Sequence, residues 1–212
     1  MKGKLYYFYG CMSSLKSGQL ICKQHQFEQS GSTTFVLKPS FDTRSEGTIK
    51  SRAIKTELPC YVFDKDTNLF KFVFSLMGQH LAKGGKLNDV CIFVDEINFA
   101  TKEHIQQLWE LTRSQYNVKV FCYGLKTNYL NELFEASQEL MVLSDSIEEI
   151  KSKCSSPDCS NKATTHVRYS NESVVTDGDG FKVGDIEGEE DKYVSVCENC
   201  YHELTNTYKY IK

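Results

Sequence analysis

Three clusters of residues have types and spacing suited to chemistry. The first is Gly10-Cys11-Met12-Ser13-Ser14-Leu15-Lys16-Ser17, between the apolar run Leu5 to Tyr9 and the segment SGQLICKQHQF, which has helical spacing. A buried strand, a small-residue loop, Lys-Ser and a helix make the outline of a phosphate-binding loop, G-x-x-x-x-G-K-[ST]. The backbone N–H groups along Gly10, Ser13 and Ser14, together with the helix N-terminus, would surround a nucleotide's phosphates. Lys16 would reach the terminal phosphates and the Ser17 hydroxyl would hold Mg²⁺. One position departs from the pattern, because Leu15 stands where the second glycine belongs. If that position needs φ > 0, leucine costs about 1–2 kcal/mol, or about tenfold in affinity. A side chain directed into the phosphate path would cost far more.

The second cluster is CIFVDE, Cys91 to Glu96, a hydrophobic run ending in two acids. This matches a Walker B strand, in which Asp95 would hold the Mg²⁺ shell at the strand's C-terminal edge. Glu96 could then act as a general base toward an attacking hydroxyl. Any buried strand can end in Asp-Glu, so this reading gains its weight from the phosphate loop before it.

The third cluster is Cys154, Cys159, Cys197 and Cys200, spaced C-x₄-C and C-x₂-C with 37 residues between the pairs. Two short-spaced pairs suit a tetrahedral Cys₄ zinc site, structural rather than catalytic because no open position is suggested. His202 could substitute as a ligand but reads as a surface residue on a final helix. Asp42-Thr43-Arg44 and Arg52 read as a solvated charged loop, or as groups steering phosphate or Mg²⁺.

Elements must position these residues. A helix is expected from Lys16 to Gln29, closed by Gly31, and a strand over Thr33 to Lys38, stopped by Pro39. Ser40 to Lys55 is polar and reads as loop, and LPCYVF as a short strand. Helices are expected over Asn68 to Lys83, from Thr101 onward and over Glu132 to Leu143. Buried strands are expected over Asp89 to Glu96 and Val118 to Gly124, with SIEEIK a short last strand. Strands alternating with helices through residue 150 predict an α/β domain with a mainly parallel sheet. From Lys151 the apolar density falls and Asp177 to Asp191 is rich in Gly and acid. The organisation predicted is therefore a nucleotide-binding domain at 1–150 and a small metal-dependent domain at 151–212, where the metal would supply the folding energy.

The chain of 212 residues is 40% hydrophobic and 25% charged, with a net charge of −3, and has the composition of an ordinary globular protein. That charge gives no basic face for nucleic acid. No apolar run approaches the roughly 20 residues needed to cross a bilayer. The start shows no signal-peptide pattern, which points to the cytoplasm. Nine cysteines, an odd number, argue against a disulfide framework. Cys11, Cys22, Cys60, Cys91 and Cys122 lie in or beside apolar segments and read as small hydrophobes.

The order of motifs carries a resemblance. The phosphate loop, Asp42-Thr43-Arg44, Asp95-Glu96-Ile97-Asn98-Phe99 and Cys122-Tyr123-Gly124-Leu125-Lys126-Thr127 recur in sequence. Glu132-Leu133-Phe134, the cysteine pairs and Tyr193-Val194-Ser195-Val196-Cys197 follow. In combination they resemble the type II (cytosolic, zinc-containing) thymidine kinase family over nearly the whole chain. The resemblance implies a RecA-like α/β P-loop domain with a zinc-ribbon lasso domain, and ATP-dependent phosphorylation of the 5′-hydroxyl of thymidine or deoxyuridine. It implies Lys16 and Ser17 at phosphate and Mg²⁺, Asp42 and Arg44 near the metal and phosphates, and Glu96 as the base. Met12, Phe99, Leu125, Tyr129, Phe134, His166 and Tyr193 would surround the nucleoside. A homotetramer, structural Zn²⁺ and feedback inhibition by thymidine triphosphate are also implied. This chain departs from the pattern at Leu15, at Asn98 (more usually Gln), and at His166, where a smaller residue is usual. Gly188-Glu189 replaces a paired glycine, and Cys154 and Cys159 are spaced two residues wider than usual.

Two readings of different class follow. One is an active thymidine-like nucleoside kinase. The other is a catalytically impaired homologue serving as a nucleotide-sensing or protein-binding module because of Leu15. A zinc-ribbon nucleic-acid binder is a weaker third, disfavoured by the acidic stretch before Asp191.

Overall fold

The computed structural model describes residues 3–41, 47–51, 53–178 and 191–206. Asp42, Arg44, Arg52 and Gly188-Glu189 lie outside the described residues. The first strand, β1 (Leu5–Tyr9), leads through the loop into α1 (Lys16–Gln29), whose bounds match those expected from spacing. Gly31 follows with φ +88°, the left-handed backbone that ends the helix. Next come β2 (Thr34–Pro39), then β3 (Thr48–Ser51) paired antiparallel with β4 (Thr56–Pro59), and β5 (Tyr61–Phe63). The hairpin differs from the loop expected over Ser40 to Lys55 and the single strand expected over LPCYVF. Only Ile49 and Ser51 of β3 are buried, so its pattern carries little apolar signal. LPCYVF divides at Cys60: Leu58 and Pro59 stay with the hairpin, and Tyr61–Phe63 joins the edge of the main sheet.

Helix α2 (Leu69–Ala82) starts where Asn68 accepts from the Lys71 N–H at 2.9 Å. The acid strand β6 (Cys91–Val94) runs into a 3-10 turn at Ile97–Phe99 and then α3 (Lys102–Thr112). Strand β7 (Lys119–Gly124) and helix α4 (Glu135–Leu143) follow, then β8 (Ser146–Glu149). Helix α4 starts three residues later than expected, because Asn128 Oδ1 accepts from both the Leu130 and Glu132 N–H groups and holds that stretch in a turn. Among the described residues no helix is long and apolar enough to cross a membrane.

The main sheet has the order β5-β2-β6-β7-β1-β8, and every pair is parallel. The phosphate-loop strand β1 and the acid strand β6 are separated by β7, a RecA-like P-loop arrangement. Leu5, Tyr7, Ile92, Val94, Val120 and Cys122 face α2, α3 and α4 in one core layer. Phe8, Phe93, Phe121 and Tyr123 face α1 in the other. Burial on both faces is why these strands read as continuous apolar runs.

The remaining strands, β9 (Thr165–Ser170), β10 (Ser173–Val175) and β11 (Asp191–Val196), form a separate antiparallel sheet, and α5 (Glu198–Thr205) packs on it. Among the described residues its core is Val167, Val196 and Tyr201 around the cysteines, with Tyr169, Val174 and Val194 packed against it.

Helix α3 begins with a reciprocal cap. Thr101 Oγ1 accepts from the His104 N–H, and His104 Nδ1 accepts from the Thr101 N–H, both at 3.2 Å. His104 Nε2 also bonds the Thr67 carbonyl at 2.9 Å, linking the cap to the start of α2. Burial lowers the His104 pKa, so the ring is neutral, as both bonds require. Thr101→Ala is expected to cost about 1 kcal/mol, read as a melting-temperature fall of about 2–4 °C.

Candidate active site

The ends of β1, β6 and β7 meet at one sheet edge because their register pairs Tyr9 with Gly124 and Val94 with Cys122. After β1 the chain turns sharply at Gly10. A Cβ there would stand 2.5 Å from both the Ile150 carbonyl oxygen and Ser14 Oγ, so only glycine fits. Ser13 (φ 58°) and Leu15 (φ 68°) are both left-handed. Left-handed residues alternating along such a turn aim successive N–H groups into one concavity, an anion-binding nest. Lys16 is buried, its Nζ donating to the carbonyls of Gly10 at 3.2 Å and Cys11 at 2.7 Å. Its ammonium therefore lies across the mouth of the loop.

From β6, Asp95 enters the same place. It is buried, and it accepts a hydrogen bond from the Ser17 hydroxyl beside Lys16. Burial, then the neighbouring Glu96, push its carboxyl up to about 7, against Ser17 and Lys16, which favour its charge. Its Oδ1 and the Ser14 hydroxyl are buried without a protein partner. A divalent cation would satisfy that carboxylate oxygen and favour the ionised acid, so Ser17 and Asp95 fit a Mg²⁺ shell. Glu96 is partly exposed and left-handed at φ 48°. A non-glycine residue held there is strained, as active-site residues often are.

Of the residues assigned to the nucleoside, two groups form. Phe99 meets Phe134 edge-on at 5.9 Å and Phe41 at 5.4 Å, so the turn after Glu96 carries an aromatic wall. Leu125 lies behind it with its backbone fully fixed. Asn98 Oδ1 accepts its N–H at 2.9 Å, and its carbonyl accepts from Tyr7 at 2.9 Å and Ser137 at 2.7 Å. In the second group, Tyr129 meets Tyr193 at 6.3 Å, and Ser195 Oγ donates to the Met12 carbonyl at 2.8 Å, joining β11 to the phosphate loop. His166 is 3% exposed. Its Nε2 bonds the Thr127 carbonyl at 3.0 Å, while Nδ1 has no protein partner. Burial lowers its pKa to about 4, so the ring is neutral at pH 7. Sequence reasoning missed Arg168, Ser195 and Tyr201. Arg168 shares a face of β9 with His166, but its buried partners Tyr129 and Asp191 lie 39 and 23 residues away in sequence.

The four paired cysteines converge, with all four sulfurs within 4.8 Å of one another. Zn–S bonds of about 2.3 Å set tetrahedron edges of about 3.8 Å, and Cys159 and Cys197 sulfurs lie 3.8 Å apart. Burial opposes ionisation of Cys154, but the N–H groups of Cys197 and Ser156 and nearby side chains outweigh it and bring the thiol to about 6. Four converging thiols with N–H donors aimed at sulfur are compatible with zinc. His202 lies on α5 and is not part of the cluster. Of the other cysteines, Cys11, Cys91 and Cys122 are buried as expected of small hydrophobes, whereas Cys22 is exposed.

Leu15 is 52% exposed, so its burden is conformational: about 1–2 kcal/mol of left-handed strain. Leu15→Gly removes that strain but adds about 0.5–1 kcal/mol of glycine freedom to the unfolded chain. The expected net gain in stability is between about 0 and 1.5 kcal/mol, read from the urea midpoint at unchanged m-value.

The thymidine kinase family model matches residues 3–201 of this chain. A thymidine kinase of Agrobacterium fabrum is 34% identical over 205 residues, covering 96% of this chain and 98% of that protein. One of Lactococcus lactis is 33% identical, covering 93% and 96%, and one of Streptococcus pyogenes 31% identical, covering 93% and 96%. With the phosphate loop, the acid strand and the cysteine cluster brought together as described, the chain belongs to the thymidine kinase family.

Proposed function

We propose that this protein phosphorylates the 5′-hydroxyl of thymidine, or of the closely similar deoxyuridine, with ATP as donor. The observation that carries this is the Ser17–Asp95 hydrogen bond beside the Lys16 ammonium, with Glu96 next in the chain and an aromatic wall three residues further. Phosphoryl transfer needs little covalent chemistry from the protein, only in-line positioning and stabilisation of charge. The Gly10 and Ser14 N–H groups are given to the Gly124 and Cys11 carbonyls at 3.3 Å, so the loop N–H groups between them, the buried Ser14 hydroxyl and Lys16 would hold the terminal phosphates and neutralise charge that develops there. Ser17 and Asp95, with Asp42, would hold Mg²⁺, which when bound draws negative charge from the phosphate oxygens. Arg44 would add a bidentate donor to the phosphates.

Glu96 would take the proton of the 5′-hydroxyl as that oxygen attacks. Phe99, Phe134, Leu125 and Met12 would pack on the base, with Tyr129, His166 and Tyr193 closing the far side. The division of labour proposed is a kinase domain at 1–150 and a zinc-ribbon domain at 151–212 that carries part of the nucleoside cleft. Cys154, Cys159, Cys197 and Cys200 would hold zinc, which when bound supplies the folding energy that the small core lacks. Assembly as a homotetramer, inhibition by thymidine triphosphate and a cytoplasmic location belong to the same proposal.

The impaired-homologue reading depends on Leu15 disabling the loop. Lys16 spanning the Gly10 and Cys11 carbonyls, and a leucine turned largely to solvent, support an active loop instead.

Two measurements test this. Glu96→Gln is expected to lower kcat for thymidine monophosphate formation by about 10²–10⁴-fold, with Mg·ATP affinity retained; undiminished turnover would remove Glu96 from the base role. Zinc should be stoichiometric with protein by atomic absorption. A strong chelator is then expected to release it and abolish the near-UV circular dichroism of Tyr169, Tyr193 and Tyr201, because structural zinc supplies about 10–16 kcal/mol. Unchanged spectra after complete metal removal would make the cysteines ordinary core residues.

A further inference from the structure

Strand β9 presents two opposite faces. Val167 points into the cysteine cluster, while His166 and Arg168 point to the loop that follows β7. Arg168 is 7% exposed, yet nothing in the chemistry of phosphate transfer or zinc binding uses it. Its Nη1 donates to the Tyr129 hydroxyl at 3.3 Å and its Nη2 to Asp191 Oδ2 at 2.8 Å. The guanidinium carbon also lies 5.2 Å from the centre of the Tyr129 ring. The Tyr129 hydroxyl in turn donates to the Asp177 carbonyl at 2.8 Å. It thus gives one bond and receives one, both within the protein, and the ring itself is 2% exposed, packed behind Tyr193. That ring meets Tyr193, which sits directly across the strand pair from Arg168.

The chain around this centre is shaped to reach it. Gly178 has φ +107°, and a Cβ there would come 3.2 Å from the Tyr129 hydroxyl, so the backbone passes over that oxygen only as glycine. Tyr201, next after Cys200, donates to the Tyr129 carbonyl at 3.1 Å. The backbone of residue 129 is therefore held from α5, and its side chain from β9.

We propose that Arg168 is a positioning residue for the nucleoside. One guanidinium fork fixes Tyr129 and Asp191 together, and so sets Tyr193, backed by the buried Tyr129 ring, against the base, a role that rests on the nucleoside-kinase reading given above. Arginine is required because two separately placed acceptors must be met by one rigid, planar donor set. A lysine ammonium would stay on Asp191, keep the buried carboxylate neutralised and lose Tyr129. Arg168→Lys is thus the informative variant, since a neutral residue would strand a buried acid and endanger folding.

The experiment compares wild type, Arg168→Lys, Tyr129→Phe and the double variant. It measures KM for thymidine and for ATP, kcat, zinc content and melting temperature. Losing a charge-assisted bond is expected to raise KM for thymidine about tenfold or more in each single variant. KM for ATP should stay within about twofold, since the phosphate loop keeps its own contacts. The double variant should be no worse than the poorer single one, because both changes break the same link. Folded, zinc-replete Arg168→Lys with an unchanged thymidine KM would overturn the proposal. So would parallel rises in both KM values, which indicate a general loosening, and so would fully additive effects. Wild-type protein that neither phosphorylates thymidine or deoxyuridine nor binds them by calorimetry would instead overturn the nucleoside reading itself.

Discussion

Parallel pairing of β1, β7 and β6 is the constraint on which the rest of the structure depends. The β7 strand hydrogen-bonds both neighbours, so Tyr9, Gly124 and Val94 end at nearly one level. The phosphate loop leaves from the first, Leu125 from the second and Asp95-Glu96 from the third. A slip of one residue in any pair would turn every side chain of that strand to the opposite face. Asp95 would then leave the loop and an apolar residue would enter it. The register is locked by what each face buries: Tyr7, Val94, Val120 and Cys122 on one side, Phe8, Phe93, Phe121 and Tyr123 on the other. Stacked rings on the α1 side, Phe93 on Phe121 at 4.8 Å and Phe8 on Tyr123 at 4.7 Å, make the slipped alternatives poorly packed.

At that edge, position is held by backbone groups as much as by side chains. Gly124 leaves no room for a Cβ against Asn98, whose amide oxygen would be 2.7 Å away. That contact allows Asn98 to bond the Leu125 N–H and ties the turn after Glu96 to the end of β7. The aromatic wall of Phe99 and Phe134 is consequently anchored to the same strands as the acids.

Sequence alone revealed the parts whose signal is local. Leu5–Tyr9 and Lys16–Gln29 were legible because a doubly buried strand is a continuous apolar run and an amphipathic helix repeats near 3.6 residues. The four cysteines were legible because metal-ligand spacing is short-range. The β3–β4 hairpin was not, since it buries almost nothing through its side chains and its pairing is mutual rather than periodic. The start of α4 was misread because Asn128 diverts Leu130 and Glu132 into a turn, a side-chain effect outweighing helical spacing. Arg168 was invisible for a different reason. An arginine in an alternating strand reads as solvent-facing, and its partners Tyr129 and Asp191 lie 39 and 23 residues away in sequence. No local pattern encodes that burial.

Strain and charge at the loop bear on whether the site is a working one. Ser13, Leu15 and Glu96 are all left-handed without being glycine, and such residues persist only where their surroundings over-determine them. Asp95 is a buried acid beside another acid, with one oxygen lacking a protein partner. A hydrophobic residue of similar volume would remove that desolvation penalty at no loss to the sheet. A protein-binding module would have no physical use for this arrangement, whereas a nucleotide-sensing one would share it. A site that must bring a cation, a phosphate chain and a hydroxyl within bonding distance needs each part of it. Ser13 and Leu15 turn the loop left-handed, Lys16 crosses its mouth, and Asp95 offers an unmatched oxygen to whatever positive charge arrives. In that setting Leu15 is one more left-handed residue held by its surroundings, its conformation set by the turn and its side chain mostly in solvent.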